Sequence, residues 1–137
     1  MNKFLFENLV KGVEEREGFS ATPYQDSLGV WTIGHGITNL TERQSDLIVR
    51  DKLQELIGVV EEYAKNKNVS LDEFRLTILV EMAYQLGFAG LKKFKKMWAA
   101  LADMDYEKAS KEMLDSKWAK QTNVRARYLA KKMLMGG

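Results

Sequence analysis

Cysteine is absent from the 137 residues, proline and histidine occur once each, as Pro23 and His35, and no apolar run approaches the length of a membrane span. Without cysteine there is no disulfide framework and no thiolate metal site. A lone histidine supplies no zinc ligand set, so neither a metal nor a cofactor is expected. Residues 1–11 are broken by charges every few positions, which predicts neither a signal peptide nor an anchor, and no stable membrane association. A cytoplasmic pool is therefore expected. A target beyond the membrane would then require a separate membrane-permeabilising protein. The remaining balance, 45% hydrophobic and 29% charged, is that of one ordinary globular domain, expected as a monomer.

Charge of either sign is nearly balanced at +2, but it is unevenly placed. Lys92, Lys93, Lys95 and Lys96 form one cluster, and after Asp115 every charged side chain is basic: Lys117, Lys120, Arg125, Arg127, Lys131 and Lys132. A solvated helix face accounts for the first cluster. The second also suits an anionic partner, whether nucleic acid, a membrane surface or an acidic cell-wall polymer.

Most of the chain reads as helix. Phe6, Leu9, Val10 and Val13 share one helical face over residues 3–16, and Gly18 is placed to stop it. Thr41 and Gln44 have capping-box spacing, predicting a helix from about 42 into the fifties or low sixties, with a loop at 66–68. Ser70 and Glu73 form a second such pair. Behind them Phe74, Ile78, Leu79, Met82, Ala83 and Leu86 predict a central helix stopped by Gly87. A shorter helix is expected after Gly90, carrying Leu91, Phe94, Met97, Trp98 and Leu101. Another should start near Asp103 or Asp105 and hold Ala109, Met113, Leu114 and Trp118. Thr122 is the expected cap of the last.

Residues 16–38 break this pattern. They hold Pro23, His35 and the glycines Gly18, Gly29, Gly34 and Gly36, with short runs of Trp, Thr, Ile and Val between turn signals. The expected fold is therefore α+β and mainly α, with a small antiparallel sheet after the first helix and two lobes flanking a cleft. The strand and turn lobe covers about 19–40; the helical lobe covers about 70–135 together with the N-terminal helix.

Glu17 is expected at the C-terminal end of the first helix, where the negative end of the helix dipole disfavours a carboxylate's charge. Asp26 lies in a polar turn beside a strand. Glycoside hydrolysis needs one protonated and one ionised carboxyl group, and these two positions suit the acid and the base respectively. Thr32, with one donor and two acceptor sites, can hold the attacking water. The Gly34-x-Gly36 pair lacks the spacing of a nucleotide loop and reads as a close backbone approach to a sugar or a facing strand.

The string Glu17-Gly18, then Pro23-Tyr-Gln-Asp-Ser-Leu-Gly-Val-Trp-Thr-Ile-Gly-His-Gly-Ile-Thr38, resembles the phage-type lysozymes, the endolysin muramidases of the T-even phage kind. The resemblance implies Glu17 as general acid, Asp26 as the carboxylate that activates water and Thr32 as the third catalytic residue. Met82-Ala-Tyr-Gln-Leu-Gly87 is similar to the family's central-helix segment, implying that Tyr84 and Gln85 contact saccharide, along with Gly36. Ser116-Lys-Trp-Ala-Lys-Gln-Thr122 with Arg125 is similar to its C-terminal signature, implying Arg125 as the cation beside Glu17. The implied partner is bacterial peptidoglycan and not nucleic acid. The implied setting is a host cytoplasm from which the enzyme is released onto the wall.

This chain departs from the family in three places. His35 sits inside the Gly-x-Gly pair, where the family usually places His after it, at the position of Ile37. The segment before the central helix is short, and Asn123 replaces a proline after Thr122. Two rival functions remain open: a lytic transglycosylase, which needs only the acid, and a non-catalytic binder of cell wall or nucleic acid.

Overall fold

Asn2 opens the first helix. In the computed structural model, which describes residues 1–136, α1 spans Lys3–Glu17, and the Asn2 side chain accepts from the Leu5 N–H at 2.9 Å. Gly18, at φ 71°, closes it by donating its N–H to the Glu14 carbonyl. Glu17 is thus the last helical residue, as its sequence position predicts. The apolar face of α1 contributes no buried residue; Phe6, Leu9 and Val13 are all exposed.

Two strands follow, β1 (Ser20–Gln25) and β2 (Trp31–Gly34), paired antiparallel through Tyr24 with Thr32 and Gln25 with Trp31. The register shifts between Tyr24 and Ser20, which pairs with Gly34. Pro23 lies in that irregular stretch, where its missing N–H breaks no ladder. Beyond β2 the chain turns again: Ile33 and Ile37 exchange backbone hydrogen bonds of 2.9 Å each, closing a loop of Gly34, His35 and Gly36. Both glycines have positive φ, 64° and 73°.

These elements belong to a first compact unit, Met1–Leu47; a second begins at Ile48. The helix α2 (Glu42–Asn66) starts in the first unit with the capping box intact. Thr41 N–H donates to Gln44 Oε1 at 2.8 Å, and Gln44 N–H donates to Thr41 Oγ1 at 3.1 Å. It runs beyond the expected end, because Val60 and Ala64 continue the stripe begun by Leu53, Leu56 and Ile57 into the core.

The second unit holds the hydrophobic core. Its centre is α3 (Glu73–Leu86), which buries Ile78, Leu79, Val80, Met82 and Ala83 and stops at Gly87, φ 81°. The N-cap is Asp72 rather than the expected Ser70, and its carboxylate accepts from the Arg75 N–H at 2.8 Å and from Arg75 Nη1 at 2.9 Å. The charge-assisted pair decides the start of the helix. The helix expected after Gly90 is two pieces, α4 (Phe88–Lys92) and α5 (Lys95–Ala102), with Phe94 at the break. The next is also divided. The helix α6 (Tyr106–Leu114) ends at Asp115, and Ser116 caps a separate α7 (Lys117–Gln121) by accepting from Ala119 N–H at 3.1 Å. Trp118 therefore lies on α7. The last helix, α8 (Asn123–Met135), follows Thr122 as expected, but the Thr122 hydroxyl donates to the Trp118 carbonyl at 2.8 Å instead of capping it.

Arg75 ties the ends of this unit together. It is 9% exposed, donates from Nε to the Met133 carbonyl at 2.8 Å, and stacks 3.3 Å from the Tyr106 ring centroid. A cation on the last carbonyls of α8 also meets the negative end of that helix dipole. Among the described residues no helix is long and apolar enough to cross a membrane.

Candidate active site

Within the first unit the predicted residues fall into two linked pairs. Asp26 and Thr32 are joined through the backbone of one residue, Val30. Asp26 Oδ1 accepts from the N–H groups of Leu28 and Val30 at 2.8 and 2.9 Å, and the Thr32 hydroxyl donates to the Val30 carbonyl at 3.0 Å. The turn is further closed by Asp26 N–H to the Val30 carbonyl and Gly29 N–H to the Asp26 carbonyl, both 3.0 Å. Asp26 Oδ2 accepts no hydrogen bond from the described residues. Thr32 is 5% exposed and is the one buried side chain of this unit among the described residues. With its proton committed to Val30, its oxygen is left to accept.

Glu17 and Gly36 form the other pair. A Cβ placed on Gly36 would lie 2.5 Å from Glu17 Oε2 and 2.7 Å from its Cδ, so only glycine leaves room for the carboxyl group. The close backbone approach expected of the Gly-x-Gly pair is therefore made to Glu17. His35, between the glycines, faces back along α1: its Nε2 lies 3.5 Å from Glu14 Oε2, and its ring centroid is 5.2 Å from that of Phe19. The residues Glu14, Phe19 and His35 escaped sequence reasoning as a group. The available signal was spacing, since Glu14 and Glu17, three apart on a helix, share a face.

Within the second unit Gln85 and Arg125 come together and Tyr84 stands apart. Arg125 is exposed, makes no ion pair among the described residues, and lines an open hollow of about 610 Å³ with Glu81, Gln85, Thr122, Val124 and Tyr128. Gln85 Oε1 accepts from Trp118 Nε1 at 2.8 Å, which fixes its amide. Tyr84, 46% exposed, lines a different and mostly apolar groove with Val49, Leu53, Ile57, Leu76 and Val80. No group of three or more His, Asp or Glu side chains among the described residues is placed to hold a metal ion.

The arrangement of a helix-terminal Glu, an Asp in a tight turn and a strand Thr accompanies a sequence match to the phage lysozyme family over residues 14–133. The chain belongs to the phage lysozyme family. The mainly helical fold with one small sheet after α1 agrees with a lysozyme-like α+β architecture. The chain is also 37% identical over 67 residues to the pre-baseplate central spike protein Gp5 of Enterobacteria phage T4. That stretch is 49% of this chain and 12% of the spike protein, so the likeness concerns a small part of that longer protein.

Proposed function

We propose that this chain, as one lysozyme-like domain, cleaves the β-1,4 bond between N-acetylmuramic acid and N-acetylglucosamine of bacterial peptidoglycan with inversion. Glu17 protonates the leaving oxygen, and Asp26 takes a proton from water attacking the opposite face of the sugar. The observation that carries this reading is the backbone of Val30, whose N–H donates to Asp26 and whose carbonyl accepts from Thr32. A water that donates one hydrogen to Thr32 Oγ1 and the other to Asp26 Oδ2 turns its lone pair outward, toward an anomeric carbon. On the resemblance of their motifs we assign saccharide contacts to Gly36, Tyr84 and Gln85 and a supporting role to Arg125. The two rings flanking the bond are those of bacterial wall glycan, and cell lysis is the outcome.

Proton NMR of the first product formed tests the stereochemistry. Inversion gives the α-anomer at the new reducing end before mutarotation. A β-anomer would make Asp26 a nucleophile, and a 1,6-anhydro product would make the chain a lytic transglycosylase that needs Glu17 alone. Asp26→Asn should abolish hydrolysis under the proposed mechanism, whereas a transglycosylase would tolerate it.

A further inference from the structure

The loop Gly34–Gly36 is held on one side by the reciprocal Ile33 and Ile37 hydrogen bonds, and on the other it rests against Glu17 through Gly36. His35 is its only side chain, and that side chain reaches Glu14 on the same face of α1 as Glu17. We propose that the His35–Glu14 contact is a protonation-sensitive clasp that holds this loop, and through Gly36 the carboxyl of Glu17, in its working position; the inference rests on reading Glu17 as the acid.

The chemistry follows from the distance. At 3.5 Å a neutral imidazole gains little from a carboxylate, while an imidazolium gains an ion pair. The other charged groups facing His35 all come from α1: Glu7, Lys11 and Glu15 line the same shallow hollow of about 390 Å³, and Glu17 lies under Gly36. Phe19, the first residue beyond Gly18, contributes an uncharged ring that limits how far the imidazole swings. His35 is thus a positioning residue and touches no substrate atom. Its side chain is 36% exposed and that of Glu14 46%, so the clasp is a modest device whose coupling corresponds to about a two- to fivefold effect.

The test is steady-state hydrolysis of solubilised peptidoglycan from about pH 5 to 8.5, a window spanning the usual titration of His. His35→Ala should lower kcat about two- to fivefold at the acid end with KM unchanged, and the gap from wild type should close as pH rises. His35→Gln, whose amide donates to Glu14 at any pH, should restore the rate and remove that pH dependence of the gap. Glu14→Gln should reproduce the His35→Ala loss, and the double variant should lose no more than either single one. A wild-type rate in His35→Ala, a gap independent of pH, or additive losses would overturn the clasp. Glu17→Gln, run alongside, separates the two claims: if it is inactive and the gap is flat, only the clasp fails. If it remains fully active the acid assignment fails, and the NMR chemical shifts of the His35 ring, compared at about pH 5 in wild type and Glu14→Gln, decide the clasp independently. Identical ring shifts in the two proteins overturn the contact.

Discussion

Gly36→Ala would displace the Glu17 carboxyl group while leaving its chemistry intact. The added Cβ would meet Oε2 at 2.5 Å, Cδ at 2.7 Å and Cγ at 2.9 Å, so the clash involves the whole terminal half of the side chain. The backbone adds its own penalty, since φ at Gly36 is 73° and an alanine there is strained by about 1 kcal/mol. Overpacking contributes about 1–3 kcal/mol if Glu17 stays. If Glu17 swings away, that part relaxes, and the carboxyl is misplaced by about an ångström, enough to lose on the order of 100-fold in rate. Gly29→Ala provides the comparison, because its φ is 78° but nothing lies within 4 Å of the new Cβ. Chemical denaturation should find Gly29→Ala destabilised by about 1 kcal/mol, with lysis within about threefold of wild type. Gly36→Ala should be destabilised by about 1–4 kcal/mol and lose at least about tenfold in lysis while remaining folded by circular dichroism. Equal lysis by the two variants would refute the claim that Gly36 seats Glu17.

Three further outcomes follow from the second unit and are read by different means. Arg75→Met removes the donors to the Met133 and Leu134 carbonyls and the ion pair from Asp72, which keeps its bond from the backbone N–H of residue 75, and urea denaturation should show a loss of about 2–4 kcal/mol; Arg75→Lys should restore less than half, lacking the planar fork. Burial raises the proton affinity of Asp72, but the Arg75 N–H, the guanidinium hydrogen bond and its charge outweigh that and leave it below its ordinary value. Between the folded and unfolded values the unfolded chain binds more protons, so this contribution is complete above about pH 4 and disappears as pH falls through the folded value. Asp72→Asn should therefore flatten the acid limb of a plot of Tm against pH. Trp118→Phe releases Gln85 Oε1 from its 2.8 Å bond, and KM for solubilised wall should rise about two- to fivefold if that amide contacts sugar.

Local signals were legible where one residue decides the backbone. Gly18 and Gly87 end their helices at positive φ, and the Thr41–Gln44 box sits where its spacing puts it. Long-range partners were hidden. Arg75 reads as an ordinary surface residue until α8 returns, 58 positions later, to present its last carbonyls. Helix breaks at Phe94 and Asp115 escaped notice because the apolar spacing continues across them: Leu91 to Met97 and Met113 to Trp118 lie in one core although the backbone turns between them. In the first unit the three catalytic candidates were named from the residues alone, but two of their supports were not. That the backbone of a single residue, Val30, would hold both Asp26 and Thr32 depends on the turn geometry. That His35 would face Glu14 depends on Gly36 settling against Glu17.

The central claim is that Glu17 is the proton donor of a wall-cleaving enzyme. Turbidity clearing of chloroform-treated bacteria by Glu17→Gln, matched to wild type in concentration and folded state, tests it most directly. Loss of a positioned acid should slow clearing by about 100- to 10,000-fold. Clearing at the wild-type rate would contradict the assignment.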